Sequence, residues 1–339
     1  MATRWGICST GLIANDFVTA FKSLPTDEHQ VVAVAAQSDK SKAESFAKKY
    51  SIPAAYGSYE DLAKDQNVEI VYIGTVHPFH HKACLMYLDY GKHVLCEKPL
   101  TMTLKEAQEV TAKAKEKKLF LMEGLWTRFF PAYRAMVEEV SSGSLGDVRC
   151  VQATSVTSTG QVKPVAGGAL MALACYPLTF VQQVFKERPE KIVVLGQFSE
   201  EGGDLGGSIS LQYKGGQIGL VYFNRNAAMG NSTVTIHGTK ANLQVPDDMH
   251  TPTRVTFPVT SKRGKREEIF PLPDTQEFFN YWNSIGFVYE AQAVRSCLQK
   301  GLTECPEMTH EDSLTVMYIL DEVSKQLGIH SSGNKKLYL

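Results

Sequence analysis

Two rhythms of apolar and polar positions divide the chain. Over residues 1–125, short unbroken apolar runs alternate with stretches of helical spacing. Arg4–Cys8, Gln30–Ala36, Glu69–Ile73, Lys92–Cys96 and Leu119–Met122 read as strands covered on both faces, because their apolar residues follow one another directly. Between them, Leu12–Ser23, Lys40–Tyr50, Ser58–Lys64, Pro78–Tyr90 and Thr103–Lys117 read as helices. Ser58 and Thr103 are placed to cap their N-termini, and Gly91 to end the fourth. Strand and helix in strict turn predict a doubly wound parallel sheet with right-handed crossovers.

After Trp126 the rhythm changes. A helix is expected over Pro131–Ser141, and from Arg149 to about Phe257 most positions alternate with period two, as in Ile192–Phe198, Ser208–Tyr213, Ile218–Phe223 and Thr233–His237. Glu201-Gly-Gly-Asp204 and Lys214-Gly-Gly-Gln217 read as hairpin turns, so an antiparallel sheet is predicted, interrupted by one helix near Leu170–Phe185. The basic block Lys262-Arg-Gly-Lys-Arg266, followed at once by Glu267 and Glu268, reads as a solvated hairpin tip. Two helices close the chain, near Tyr289–Gln299 and Glu311–Leu327, the second with a Thr309-x-x-Asp312 start that resembles a capping box. The expected division is 1–125 and 126–339, with the last helix packing back on the first domain.

A length of 339 residues agrees with two domains, and 43% hydrophobic with 21% charged residues excludes disorder and a coiled coil. The 35 Lys+Arg against 36 Asp+Glu leave no basic surplus for a phosphate backbone, so no nucleic-acid partner is expected. The apolar runs fall short of the roughly 18–20 residues that span a bilayer. No cleavable signal precedes the first strand and no lipidation signal follows Lys336, so a cytoplasmic location and no membrane partner are expected. Seven scattered cysteines without Cys-x-x-Cys predict neither a disulfide frame nor a zinc knuckle. His77, His80 and His81 cluster, but no second group of ligands supports a metal, and His80 is read as a cap or support for the next helix. Hydrolase motifs are missing.

The first candidate chemistry lies between the first strand and helix. Ser9-x-Gly11-x-x-Ala14 occupies the positions of a Gly-x-Gly-x-x-Gly/Ala fingerprint, with serine at the first. Gly11 would let the backbone approach a pyrophosphate, Leu12 and Ile13 open a helix whose N–H groups favour an anion, and Ala14 allows close packing. The alternative is a plain strand-turn-helix corner. An acid directly after the second strand would select the ribose of NAD, but the chain reads Ala36-Gln37-Ser38-Asp39-Lys40. Gln37, Ser38 and Lys40 are suited to a 2′-phosphate, which favours NADP over NAD. Lys40 can equally be an ordinary helix-surface charge.

The second lies at Glu97-Lys98-Pro99, after the fifth strand, where ligands bind in doubly wound sheets. Lys98 there is a candidate to hydrogen-bond a reacting oxygen. Together with Gly74-Thr-Val-His-Pro78, Met122-Glu-Gly-Leu-Trp-Thr-Arg-Phe-Phe-Pro131 and Gly167-Gly-Ala-Leu170, these segments resemble the Gfo/Idh/MocA oxidoreductase family over nearly the whole chain. The resemblance is strongest to its dimeric dihydrodiol dehydrogenase branch, also known as D-xylose 1-dehydrogenases. It implies an N-terminal Rossmann domain and a C-terminal α/β domain with an open antiparallel sheet, which binds substrate and joins two copies. It further implies NADP-dependent hydride transfer between nicotinamide and a hydroxyl or carbonyl substrate.

Roles follow from the resemblance residue by residue. Lys98 is the catalytic lysine, and Tyr176 exchanges a proton with the substrate hydroxyl. Glu97, Thr75, His77 and His80 border the dinucleotide, and Trp126, Arg128, Phe129 and Phe130 lie near nicotinamide and substrate; Phe129 and Phe130 are otherwise plain core. One departure stands out. Ala172 occupies the place where the family has an aspartate, and the stretch Ser155–Val165 is shorter than in that branch. The implied alternatives are a paralogue that reduces a different substrate, or a protein that binds NADP(H) with little turnover.

Overall fold

Every strand pair of the N-terminal half is parallel. The computed structural model describes residues 1–37, 39–158, 168–228, 230, 232–258 and 265–329. In chain order the first elements are β1 (Thr3–Cys8), α1 (Leu12–Ala20), β2 (His29–Ala35), α2 (Lys40–Tyr50), β3 (Ala54–Tyr56) and α3 (Tyr59–Lys64). They continue with β4 (Ile70–Ile73), α4 (His80–Asp89), β5 (His93–Glu97), α5 (Leu104–Lys117) and β6 (Leu121–Gly124). The sheet order β3-β2-β1-β4-β5-β6 is the doubly wound one, with the reversal between β1 and β4. Local chemistry sets the helix ends. Asp39 accepts from the Ser41 and Lys42 amides to open α2, Ser58 accepts from the Asp61 amide to open α3, and Gly91, at φ +76°, ends α4. The 3₁₀ turns Phe21–Ser23 and His77–Phe79 lie where uniform helix was expected.

The second sheet has eight strands. Ahead of it lies α6 (Pro131–Ser141), followed by β7 (Val148–Val156). One turn of π-helix, Leu170–Ala174, runs straight into α7 (Cys175–Phe185). Then come β8 (Lys191–Phe198), β9 (Asp204–Gln212), β10 (Ile218–Asn224), β11 (Val234–Gly238), β12 (Asn242–Val245), β13 (Arg254–Pro258) and β14 (Lys265–Ile269). The order is β14-β13-β12-β11-β7-β10-β9-β8. All pairs are antiparallel as expected, except that β10 runs parallel to β7. The two glycine turns join β8 to β9 and β9 to β10 as antiparallel neighbours. β13 and β14 also pair antiparallel, and residues 262–264 of the expected basic tip lie outside the described residues. One sheet face packs under α7, where Val181 sits so close to Gly219 that a Cβ there would meet it at 2.6 Å. On the other face Val193, Leu195, Leu220 and Tyr222 are exposed, interleaved with Ser208 and Ser210 in register.

Helices α8 (Phe287–Gln299) and α9 (His310–Gln326) complete the chain, and they part company. Contacts gather Met1–Thr101, Lys105–Phe129 and Leu272–His310 into one unit, and Met102–Leu104, Phe130–Pro271 and the chain from Glu311 into another. The penultimate helix thus returns to the first unit, while the last stays with the second. The return has a buried anchor. Asp16 on α1, fully buried, accepts from the Asn280 amide (2.8 Å), Asn280 Nδ2 (2.6 Å), the Tyr281 amide (2.9 Å) and Ser284 Oγ (2.8 Å). Phe287 then packs on Phe17 and Trp126, ring centroids 5.4 and 4.5 Å away.

Candidate active site

In the first unit the strand ends between β1 and β4 build a ledge. Ser9 has φ +109°, a conformation that favours glycine, and so adopts the backbone of the residue it replaces in the fingerprint. Its Oγ accepts from the Gly11 amide (3.1 Å). Gly11 is the N-cap of α1 and offers no side chain to the helix end, so the first-turn N–H groups are left for a ligand. Leu12 is 59% exposed at that end, while Ala14 is buried against Gly74, where a Cβ would come within 3.4 Å of the Ala14 Cβ. Beside it the Thr75 hydroxyl is buried without a hydrogen-bond partner among the described residues. An uncapped helix end, a backbone open at Gly11 and an unsatisfied hydroxyl fit a nicotinamide dinucleotide.

At the rim of the second strand the Asp39 carboxylate is turned to its own helix. Asp39 is occupied with the α2 amides, with the Ser41 hydroxyl (2.6 Å) and with Lys42 (3.4 Å). Gln37 is exposed, and its side-chain carbonyl accepts from the Tyr59 amide. Lys40 is exposed and pairs with Glu44 at 3.5 Å. Ser38 lies outside the described residues.

His80 ties the loop after β4 to the turn after β5. Its Nδ1 lies 2.9 Å from the Pro99 carbonyl and its Nε2 3.0 Å from the Thr75 carbonyl, and burial lowers its pKa. It is the first residue of α4, where the sequence suggests a cap or support, and its ring straps together the loops after β4 and β5. His77 packs edge-on against it at 5.7 Å. Among the described residues no three His, Cys, Asp or Glu side chains converge as a metal would require.

Lys98, half-buried, follows directly on a buried carboxyl. Glu97 Oε1 accepts from the Tyr72 hydroxyl (2.8 Å) and Oε2 from the Lys98 amide (3.2 Å). Burial pushes the Glu97 carboxyl up to about 7, against the pull of Lys98 and Tyr72. Glu290 of α8 is fully buried, and neither of its carboxyl oxygens has a hydrogen-bond partner among the described residues. Burial raises its pKa well above the usual range, and the nearby Glu97 adds to the effect. Glu123, also buried, accepts from the Leu100 amide (2.9 Å). Trp126, Arg128 and Phe129 follow β6 and are all buried, with Arg128 Nη1 donating to the Glu307 carbonyl (3.0 Å).

The second unit holds Phe130, Ala172 and Tyr176. Phe130 is fully buried ahead of α6. Ala172 sits in the π turn, whose entry is held by a carboxylate from elsewhere: Asp204 of β9 accepts from the Leu170 amide (2.6 Å). Gly168, at φ +63°, has no room for a Cβ beside Asp204. Burial raises the Asp204 pKa. Tyr176, 8% exposed, stands one residue into α7. The His250 ring meets it edge-to-face, with centroids 4.6 Å apart. Asp16, Asp204, His250 and Glu290 carried no sequence signal as site or anchor. Of the shortened stretch Ser155–Val165, residues 159–165 lie outside the described residues.

A family model described as an oxidoreductase family with an NAD-binding Rossmann fold matches residues 3–125, and a GFO/IDH/MocA C-terminal domain model matches residues 133–244. The chain is 46% identical over 336 residues to a trans-1,2-dihydrobenzene-1,2-diol dehydrogenase of Sus scrofa, covering 97% of this chain and 98% of that one. To a protein of the same name from Xenopus tropicalis it is 43% identical over 335 residues, covering 97% and 99%. A solved 3-ketoreductase from Actinomadura kijaniata, in complex with NADP and TDP-benzene, shares the fold with a TM-score of 0.80 at 22% identity, over 96% of this chain and 98% of that one.

Proposed function

The chain belongs to the Gfo/Idh/MocA oxidoreductase family, as its motifs implied, and from that premise we propose an NADP-dependent oxidoreductase of the dihydrodiol dehydrogenase and D-xylose 1-dehydrogenase type. The observation that carries this reading is the ledge of the first unit: Lys98 beside buried Glu97, on the sheet whose β1 and β4 ends offer Gly11 and Thr75. The dinucleotide, when bound, supplies or accepts the hydride. Ser9 and Gly11 shape the turn that its pyrophosphate approaches, Leu12 and Ile13 present helix-end amides to it, and Thr75, His77 and His80 line its course. Gln37, Ser38 and Lys40 favour a 2′-phosphate, because Asp39 is committed to α2.

Lys98 orients the reacting oxygen. Tyr176 takes the hydroxyl proton in oxidation and returns it in reduction. Trp126 and Phe129 of the first unit and Phe130 of the second are the proposed apolar neighbours of nicotinamide and substrate, and the Glu307 carbonyl holds Arg128. Ala172 leaves an apolar wall where the resemblance implies a carboxylate, so the preferred substrate is flatter and less hydroxylated than a sugar. The same alanine favours the second reading, dinucleotide binding with little turnover.

The test incubates the protein with NADP or NAD, in either redox state, and a panel of trans-dihydrodiols, D-xylose and apolar carbonyls, following absorbance of the reduced cofactor. NADP(H)-dependent turnover of an apolar carbonyl or diol supports the proposal. Binding of NADP(H) with no turnover of any member selects the second reading, and tighter NAD(H) binding sinks the cofactor assignment.

The open face of the second sheet carries a further part of the proposal, a homodimer. An exposed patch with Leu195 at 73% and Val193, Leu220 and Tyr222 around it, interleaved with Ser208 and Ser210, suits a second copy better than water. Sedimentation should give dimers for the wild type and monomers for Leu195→Arg.

A further inference from the structure

Two of the seven cysteines meet where the first unit closes its penultimate helix. Cys297 lies in the last turn of α8 and Cys305 in the turn that follows, and both are free thiols. The Lys300 and Leu302 amides donate to the Cys297 carbonyl (3.2 and 3.0 Å), and the chain reverses at Gly301, whose φ is +66°. This reversal brings Cys305 back to the helix end, where the Cys297 thiol donates to the Cys305 sulfur. The Glu307 and Met308 amides donate to the same sulfur.

One thiol is therefore the donor and the other the acceptor. The Cys297 hydrogen bond, helped by the two amides, lowers the Cys305 pKa against the effect of burial. The same bond, with burial, raises that of Cys297. The thiolate, and not the thiol, attacks an oxidant, so Cys305 is the nucleophile of the pair. Sulfurs in hydrogen-bond contact are also close to the separation at which a disulfide closes. The pair lies beneath a surface turn: Cys297 is 5% and Cys305 1% exposed, but Gln299, Lys300, Gly301, Leu302, Pro306 and Glu307 around them are exposed. Cys84 of α4 and Cys96 of β5 form a second hydrogen-bonded pair, with the opposite chemistry. Both are fully buried, and burial, with the Cys84 bond, raises the Cys96 thiol well above its usual range. Burial likewise pushes the Cys8 thiol up to about 12.

We propose that Cys297 and Cys305 form a redox-modification site, with Cys305 as the nucleophile toward a hydroperoxide and Cys297 as the resolving thiol. The Cys305 sulfur attacks one peroxide oxygen, the O–O bond breaks, and hydroxide or alkoxide leaves. The Cys297 sulfur then attacks the sulfenic acid. The S–S bond forms, the S–O bond breaks, and the oxygen leaves as water with the Cys297 proton. The two sulfurs together give up two electrons, which the peroxide takes, and a dithiol reverses the change. The turn is tied to the sheet of the first unit. The Thr303 carbonyl accepts from the Leu121 amide at the start of β6 (3.1 Å), and the Glu307 carbonyl holds Arg128. Oxidation thus acts on the segment that grips both ends of β6, whatever substrate the chain turns over.

The test treats the full-length protein with hydrogen peroxide, blocks the remaining thiols with iodoacetamide and maps the peptides by mass. Trypsin cuts after Arg295 and after Lys300, so the two cysteines fall in separate peptides. A disulfide between them appears as one linked species, lighter than the sum of its parts by the hydrogens lost. It should form on the order of tenfold faster than Cys8 or Cys96 is oxidised, and it should vanish with dithiothreitol. In Cys297→Ser, which keeps a hydrogen-bond donor, the reaction should stop at the Cys305 sulfenic acid, captured by dimedone. Cys305→Ser should leave Cys297 reduced. No linked peptide from the folded wild type, or one that forms no faster than Cys8 and Cys96 react, overturns the proposal. A dimedone adduct on Cys297 in Cys305→Ser, with none on Cys305 in Cys297→Ser, overturns the assignment of roles. Should a serine variant fail to fold, the linked peptide of the wild type and its rate decide alone.

Discussion

Around Lys98 the first unit buries three carboxyl side chains, Glu97, Glu123 and Glu290, while ahead of Tyr176 the second unit presents Leu170-Met-Ala-Leu-Ala174, which has none. Burying a carboxyl costs several kcal/mol unless it is well paired, and Glu290 is not. Such a cost is retained where a charge or proton is of use. The π turn bears no comparable cost. The carboxylate of Asp204 on β9 supports it by accepting from the Leu170 amide. The difference teaches where change is easy. On the function proposed above, the costly carboxyls stand on the dinucleotide side and the apolar turn on the substrate side.

The comparison can be broken most forcefully at Lys98. If the carboxyl-lined side holds the chemistry, Lys98→Met should lower turnover by about 10²–10⁴ while dinucleotide binding changes little. A folded variant with an unchanged rate would assign Lys98 to the surface. Next in size is the substrate side. Restoring a charged acceptor with Ala172→Asp should raise oxidation of D-xylose or a trans-dihydrodiol by about 10- to 150-fold, the worth of one such hydrogen bond. Brisk oxidation of both by the unmodified chain would show that the turn had not relaxed specificity.

The buried acids make a third prediction, about stability. The folded-state value of Glu97 lies above the ordinary 4.5, at about 7, so between these limits the folded chain binds more protons than the unfolded one. Stability should therefore fall as pH rises through that window. Glu97→Gln should flatten the dependence, and Glu290→Gln should stabilise the chain by ~1–3 kcal/mol above pH 7. Thermal unfolding against pH checks both, and no gain in either variant would mean that the carboxyls are better compensated than their geometry shows. The smallest effect is expected at the cofactor rim. Lys40 is exposed and already paired with Glu44, so Lys40→Ala should weaken NADP(H) by about 2–5-fold and leave NAD(H) unchanged, as fluorescence titration would show.

The fold was legible wherever one local signal sufficed. Lys40–Tyr50 was legible in its charged amphipathic spacing, and the structure gives it the same bounds, with Asp39 capping its start and Ser51, at φ +56°, ending it. The antiparallel sheet followed from period-two runs and glycine turns. Strand β3 was missed because three residues between Pro53 and Gly57 are too few to show a period. The parallel pairing of β7 with β10 was missed because order within a sheet is a long-range property. The site divided in the same way. Ser9, Gly11 and Lys98 sit on motifs, and the structure places them on the β1 and β5 ends. Asp16, Asp204, Glu290 and His250 have partners far away in sequence, and an acid or a histidine inside a helix or turn looks like surface until those partners arrive.

The separation of Phe129 from Leu272 gives the first unit an order of birth. The ribosome adds roughly 5–20 residues per second, so on the order of ten seconds pass between the emergence of β6 and that of the stretch that completes its unit. Through that interval Asp16 lacks all four of its donors, and Phe17 and Trp126 lack the cover of Phe287. The unit whose strands are made first is thus finished only after every strand of the second sheet has left the ribosome. Residues 1–129 are not a detachable module, whatever their motifs suggest. They are the opening half of a structure whose closing clasp is encoded more than a hundred residues downstream.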